Sequence, residues 1–459
     1  MVEKREKEGM KHNTLLTLKR ARGWLVIAVI GLIPMIIWLS TVDFTVRFTG
    51  PAAILKSLAN LSALTGTAVF SINMILAART RFIERIMGEF DQMYRIHRTL
   101  GYAVPLLLIA HALLVTASKS IQSLAAGLIL FTPAAGWNVF IGVLALIGLV
   151  IALLIPLLRG LSHEAFLIVH RFAGIMFLLG ASHVLLVPVT WTLPVPLIVY
   201  LITLMGAGVL AFLYRSLLGY FSVRRYRYRI EQVNPLGNSA VELVLEPLSM
   251  ALTYHSGQFV FVTIEDTPLP RETHPFSIAS APEDEKVRIV IKALGNYTSS
   301  LQKLQPEGTA LLEGPYGGFS YTKIANKRQV WIAGGIGITP FLSMARSLGK
   351  AAYDIDFYYC TELADDAFYI DELYELSDQN LHLRVIPIRR DSLGLITAED
   401  ILGVSGELTQ QDILICGPPI MIHSLRSQFM ARGVAPNQIH YEDFSVISTP
   451  NRLFPKSKV

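Results

Sequence analysis

The chain has 459 residues, of which 52% are hydrophobic and 16% charged, with a mean hydropathy of +0.46. That is too apolar for an ordinary soluble protein, and the length allows two or three domains. Two cysteines exclude a disulfide framework and a cysteine-rich metal or iron–sulfur centre, and the net charge of +5 is accounted for by basic loops, so a nucleic-acid partner is not called for.

Residues 1–22 form a basic tail, charged throughout, with no small-residue cleavage site after the first apolar run; it is expected to stay as a cytoplasmic tail and not to be removed as a signal. Six apolar windows follow, at 24–39, 61–77, 101–117, 137–158, 172–189 and 193–214. Each is near the length needed to cross about 30 Å of hydrocarbon, so 23–218 is expected to be a six-span membrane domain whose partner is the lipid bilayer. Arginines and lysines decide the orientation. They crowd the tail, the 79–98 connection (Arg79, Arg81, Arg85, Arg95, Arg98) and the stretch after the sixth window (Arg215, Arg224, Arg225, Arg227, Arg229). The opposite connections carry only Arg47, Lys56 and Lys119, so the positive-inside rule places both termini in the cytoplasm, across the plasma membrane.

Four histidines fall in the third and fifth windows: His97 and His111 on one, His170 and His183 on the other. An ionisable side chain inside a bilayer must find a partner or be neutralised. The stretch "HRTLGYAVPLLLIAH" spaces His97 and His111 by about 21 Å along a helix and about 40° around it, on nearly one face. Both windows run in the same direction, so His97 pairs in depth with His170, and His111 with His183. Two stacked cross-helix pairs are what two bis-histidine b-type haems require. Gly101, Gly174 and Gly180 offer room for a flat macrocycle. The spacing from His170 to His183 is about 140° out of phase on an ideal helix, which calls for an irregularity near Gly174 or Gly180, or for haems approached from different sides. Zinc is the competing metal, but it needs ligands clustered around one ion.

From about residue 222 the texture becomes polar and turn-rich. Residues 222–325 read as short alternating strands of an antiparallel β-barrel, and 328–459 as a β/α alternation with a parallel sheet and a C-terminal tail. The strand "QVWIAGG" runs into "AGGIGITPF" (333–341). Gly334, Gly335 and Gly337 let the backbone approach a pyrophosphate, and Thr339 and Pro340 open a helix whose N-terminus favours the anion.

The set of motifs resembles the ferric reductase and NADPH oxidase family over nearly the whole chain after residue 20. It consists of "HPFSIAS" (274–280), "GNYTSSL" (295–301), "GGIGITPF" (334–341), "CGPP" (416–419) and "YEDF" (441–444), together with the two-by-two histidines. The resemblance implies FAD held by His274, Pro275, Phe276 and Ser277, with charge offered by Arg271 and Lys292 and a wrapping turn at Gly295, Asn296, Tyr297 and Thr298. It implies NADPH or NADH at the glycine turn, with Cys416, Gly417 and Pro418 on the nicotinamide side and Phe444 stacked on the flavin. Glu362, after Cys360, suits a ribose 2′-hydroxyl, while Arg389 and Arg390 could serve a phosphate. The implied fold is a six-helix transmembrane bundle followed by an FAD-binding barrel and an NAD(P)H-binding α/β domain. The implied activity carries electrons from cytoplasmic NAD(P)H through FAD and two haems to an outer acceptor: O2, giving superoxide, as the first expectation, or an Fe(III) chelate.

Two positions depart from the superoxide-producing members. Val115 stands where they carry a further histidine, and Lys56 is the nearest cation where they have an arginine. No protein partner is required by this reading. A transporter or receptor with a nucleotide-sensing domain and no redox cofactor is the alternative from another class.

Overall fold

The computed structural model describes residues 22–88, 90–159, 163–217, 224–237, 239–349, 353–363 and 366–443. Almost all of the basic tail, the 445–459 segment and Phe444 lie outside them. The described chain divides into two compact units, with Arg224 opening the second.

Among its described residues, the first unit holds six helices long and apolar enough to cross a membrane. Span 1 is Arg22–Ser40, span 2 Pro51–Ala77, span 3 Phe90–Ser120, span 4 Trp137–Arg159, span 5 His163–Leu186 and span 6 Val195–Phe212. Span 2 starts ten residues before its predicted window, because Pro51 at the first helical position opens it directly after Gly50. It is the most buried span and packs against spans 3 and 6. Hydroxyls tie the helices where apolar packing alone gives no direction: Ser62 donates to the Leu107 carbonyl and Ser118 to that of Ala52, joining spans 2 and 3. Tyr200 on span 6 donates to the Ile30 carbonyl on span 1 at 2.6 Å. Trp38, Leu64, Leu197, Leu201 and Met205 close a core between spans 1, 2 and 6, while Leu106 and Leu113 of span 3 stay exposed, as a lipid-facing stripe would.

The second unit contains two sheets. Strands β1 (Arg225–Leu236), β2 (Ala240–Pro247), β3 (Phe259–Glu265), β4 (Thr273–Ser277), β5 (Val287–Lys292) and β6 (Thr309–Tyr316) form an antiparallel sheet in the order β4-β3-β6-β1-β2-β5. A bridge between Ile278 and Ile289 brings its two ends together into the predicted barrel. Strands β7 (Arg328–Gly334), β8 (Asp354–Thr361), β9 (Leu383–Arg389), β10 (Asp412–Cys416) and β11 (Ile439–Glu442) form a parallel sheet in the order β11-β10-β7-β8-β9. The chain runs outward from β7 in both directions, so the carboxyl end of β7 is the switch point where a ligand crevice opens in such sheets.

Candidate functional site

Each predicted membrane histidine sits on a regular helix and is held by something specific. His97 Nδ1 lies 3.2 Å from the Asn73 carbonyl oxygen, His111 Nδ1 3.0 Å from that of Ala59, and His183 Nδ1 2.7 Å from that of Asn138. A carbonyl only accepts, so each Nδ1 carries the proton and the Nε2 lone pair is left for a ligand. That is the arrangement found where an imidazole is oriented for a metal. The fourth ring, His170, stacks on Phe166 at 5.2 Å and meets the His97 ring edge-on, with centroids 5.9 Å apart. Two imidazoles on opposite sides of one iron would be separated by roughly 6 Å, from metal–nitrogen bonds of about 2 Å and ring radii of about 1 Å. The centroid separation of the inner pair matches that spacing. Among the described residues no three His, Cys, Asp or Glu side chains cluster as a metal site.

The glycines separate into two kinds. Gly180 has nothing within 4 Å of where a Cβ would lie, and Gly101 only the Asn73 amide at 3.9 Å, so both leave open space. Gly174 does not: a Cβ there would meet the Phe212 ring at 2.1 Å, so this glycine serves packing against span 6 and is withdrawn as a macrocycle site. Nor is span 5 broken near Gly174 or Gly180; it is one α-helix from His163 to Leu186. On that helix the His170 ring meets His97 of span 3, and His183 Nδ1 meets the Asn138 carbonyl of span 4. Sequence reading missed Gly142, whose absent Cβ would meet His183 Nδ1 at 2.7 Å; a glycine on a neighbouring apolar helix gave no signal of this role.

In the second unit, the two predicted flavin stretches come together. The "HPFS" residues are strand β4 itself, and Asn296–Ser300 is a short helix. The His274 ring stacks on Tyr297 with centroids 4.6 Å apart, and His274 Nε2 bonds Glu272 at 2.6 Å. Ser277 is buried, Pro275 and Phe276 are half-buried on β4, and Phe276 packs on the barrel core. The Thr298 hydroxyl accepts from the backbone N–H of Leu294 and of Gly295 at 2.9 and 3.0 Å, which fixes the turn; Asn296 is exposed, and beside it Gly295 faces open space. Arg271 pairs with Glu265 on β3, and Lys292 ends β5.

The nucleotide turn is built by close backbone approach. A Cβ on Gly337 would meet the Cys416 carbonyl oxygen at 2.3 Å, and one on Gly334 would meet Pro418 and Met421 at 2.7 Å. Gly417 approaches Gly334 in turn, so the ends of β7 and β10 interlock. Gly335, at φ +52, has nothing within 4 Å and faces the open side. Thr339 and Pro340 begin the helix Thr339–Arg346 as expected, with the Thr339 hydroxyl donating to the Ile336 carbonyl at 3.1 Å. Cys416 is 1% exposed, and burial, with Glu442 and Asp443 adding, pushes its thiol well up, while its backbone shapes the turn. Glu362 and Arg390, the rival determinants of nucleotide choice, bond each other at 2.6 Å on the exposed rim beyond β8 and β9.

Family models match these regions in the same order. Residues 62–181 match a ferric reductase-like transmembrane component, 225–320 an FAD-binding domain and 331–427 an oxidoreductase NAD-binding domain. These three matches, in this order, are those of a ferric reductase and NADPH oxidase-like chain. The matched regions are those of an NAD(P)H-dependent oxidoreductase, with FAD- and nucleotide-binding domains following a multi-pass membrane domain in the sequence. The reductase component of propane 2-monooxygenase from Rhodococcus jostii is 27% identical over 245 residues, covering 50% of this chain and 66% of that protein. Ferric reduction oxidase 7 of Arabidopsis thaliana, described as chloroplastic, is 27% identical over 278 residues, or 56% of this chain and 35% of its own length. A ferredoxin NADP+ reductase structure from Neisseria gonorrhoeae, with bound FAD and NADP, superposes with a TM-score of 0.40 at 19% identity, covering 47% of this chain and 97% of that one.

Proposed function

We infer that this protein carries electrons from cytoplasmic NAD(P)H through FAD and two bis-histidine b-type haems to an acceptor on the outer face of the plasma membrane, with O2 as that acceptor and superoxide as the product. The observation that carries the haem reading is the set of three Nδ1-to-carbonyl contacts, which leaves Nε2 of His97, His111 and His183 free inside an apolar helix bundle. His170 completes the inner pair, and His111 with His183 forms the outer one.

A bound flavin would accept one hydride, which is two electrons, and pass those electrons on singly, and a haem held by two histidines would accept them one at a time. The chain's own residues do the rest. Gly334, Gly335 and Gly337 bring backbone N–H groups toward a pyrophosphate at the N-terminus of the Thr339–Arg346 helix. Stacked His274 and Tyr297 fix the edge of the flavin cradle, with Ser277 offering a hydroxyl from β4 and Arg271 and Lys292 charge at its ends. Phe444, which lies outside the described residues, is assigned to the flavin face where nicotinamide enters. Apolar side chains fill the space between the haem levels: Phe177 is 3% exposed and meets Phe70 edge-on at 4.9 Å, so no titratable group is needed on that path.

An Fe(III) chelate is the second acceptor reading, supported by Val115 in place of a further histidine and by the similarity to a ferric reduction oxidase. Both acceptors are tested on one preparation, by superoxide-dismutase-sensitive cytochrome c reduction run beside ferric-chelate reduction. The purified chain is expected to show a flavin band and a b-type haem band that sharpens when NAD(P)H is added. A colourless chain would return it to the transporter or receptor class. His111→Leu and His183→Leu are expected to lose haem absorbance, and His255→Leu on the barrel to keep it.

A further inference from the structure

The barrel and the nucleotide domain are joined by a polar clamp at one end of the helix that begins with the nucleotide turn. Thr339–Arg346 presents its N-terminus at the switch point, and its other end meets the segment that follows β4. Ser343, fully buried, donates to the Ser280 carbonyl at 2.6 Å. Arg346, with 8% of its side chain exposed, donates from Nη1 to the Ala279 carbonyl at 2.7 Å. Its Nε and Nη2 bond both carboxylate oxygens of Glu372, at 2.6 and 2.8 Å. Tyr369 lies over the Arg346 guanidinium at 5.4 Å and donates its hydroxyl to Glu242 on β2 at 2.8 Å. Ala279 and Ser280 are the second and third residues after Ser277.

Three bonds therefore cross from the nucleotide side to the barrel, and the apolar core runs through the same junction, from Ala279 and Val290 to Phe341 and Met344. Buried two-pronged arginine–carboxylate bonds are rigid, and a buried arginine left without partners is strongly unfavourable. Hydride transfer is sensitive to placement: a displacement of about 1 Å can lower a rate on the order of a hundredfold. Neither Ser343 nor Arg346 lies on the nucleotide turn or on the predicted flavin motif.

We propose that Arg346, with Ser343 and Tyr369 as supports, is the positioning residue that fixes the distance between the nicotinamide and flavin sites. It sets the rate of hydride transfer without taking part in nucleotide affinity. This rests on the NAD(P)H-to-FAD reading above. The test is anaerobic rapid mixing of the full-length, flavin-loaded chain with saturating NADH or NADPH, following the bleaching of the flavin band. R346M is expected to slow reduction about tenfold, which is about 1.4 kcal/mol of barrier, with nucleotide affinity held within about twofold. R346K keeps one donor for the Ala279 carbonyl and is expected to fall between R346M and the parent, and S343A to show a smaller drop. Where R346M does not accumulate, S343A and Y369F carry the same comparison.

A second readout needs no cofactor. Backbone hydrogen exchange on the flavin-free chain is expected to quicken at 278–281 and 339–347 in the variants. Unchanged flavin reduction in R346M, S343A and Y369F overturns the proposal, as does a loss confined to nucleotide affinity. A parent flavin that neither NADH nor NADPH bleaches overturns the functional reading instead, and exchange still reports on the clamp.

Discussion

Gly142 lacks a side chain where His183 needs the space: a Cβ would meet the imidazole at 2.7 to 2.9 Å. Gly142→Ala is therefore expected to push the ring off the Asn138 carbonyl and to lower haem content by about one of two equivalents, since a displaced oriented ligand weakens a metal site about tenfold or more. Pyridine-haemochrome quantitation checks this, with Gly206→Ala, where nothing lies within 4 Å, as the silent control. In the second unit, burial pushes the Cys360 thiol up to about 12 from 9.0. Burial, with Glu272 adding, pushes the Tyr297 phenol up to about 12 from 10.0. Both stay neutral in the folded chain, whereas the unfolded chain releases these protons at ordinary values. Their contribution is fully present below about pH 8 and declines as pH rises from about 9 toward 12. Thermal unfolding of the full chain should be level in the first range and fall in the second; a level profile through about pH 10 would contradict this.

Among the elements, the short helix Asn296–Ser300 depends on one hydroxyl. Thr298→Val removes the acceptor for two backbone N–H groups and is expected to lower stability by about 1 kcal/mol and to weaken FAD retention, whereas Thr298→Ser keeps both. Scanning calorimetry and flavin release check the pair. Most elements were legible in the sequence because their side chains follow a period: the six spans by length, β1, β2, β3, β5 and β6 by alternation, and β7 to β10 as apolar runs between helices. Strand β4 was not, because five residues containing His274 and Pro275 show no alternation. Strand β11, four residues long, was likewise too short to read. The helix Ala398–Ser405 was also missed, although Thr397 and Asp400 bond each other's backbone N–H in a capping box that "TAED" announces.

At the scale of the molecule, the proposed electron path divides between the two units, with the four histidines in the first and the flavin and nucleotide motifs in the second. His97→Leu is expected to abolish reduction of the outer acceptor while NAD(P)H still reduces a soluble dye that takes electrons at the flavin. Loss of both activities would show that the second unit does not work without the first. The division near residue 222 was legible from composition, and the spacing of the histidines pointed to the meeting of His97 with His170. What sequence could not show was which atoms meet across long separations. Ser343 and Ser280 are 63 residues apart, and Tyr369 and Glu242 are 127 apart. No local period encodes such pairs, and each residue taken alone reads as an ordinary polar position.

The carbonyls that orient three of the histidines belong to Ala59, Asn73 and Asn138, and they are backbone atoms. No substitution of those side chains deletes the acceptor, so these positions can drift through evolution while the anchoring persists. The rings are thus oriented by the backbone path of spans 2 and 4, together with the missing side chain of Gly142.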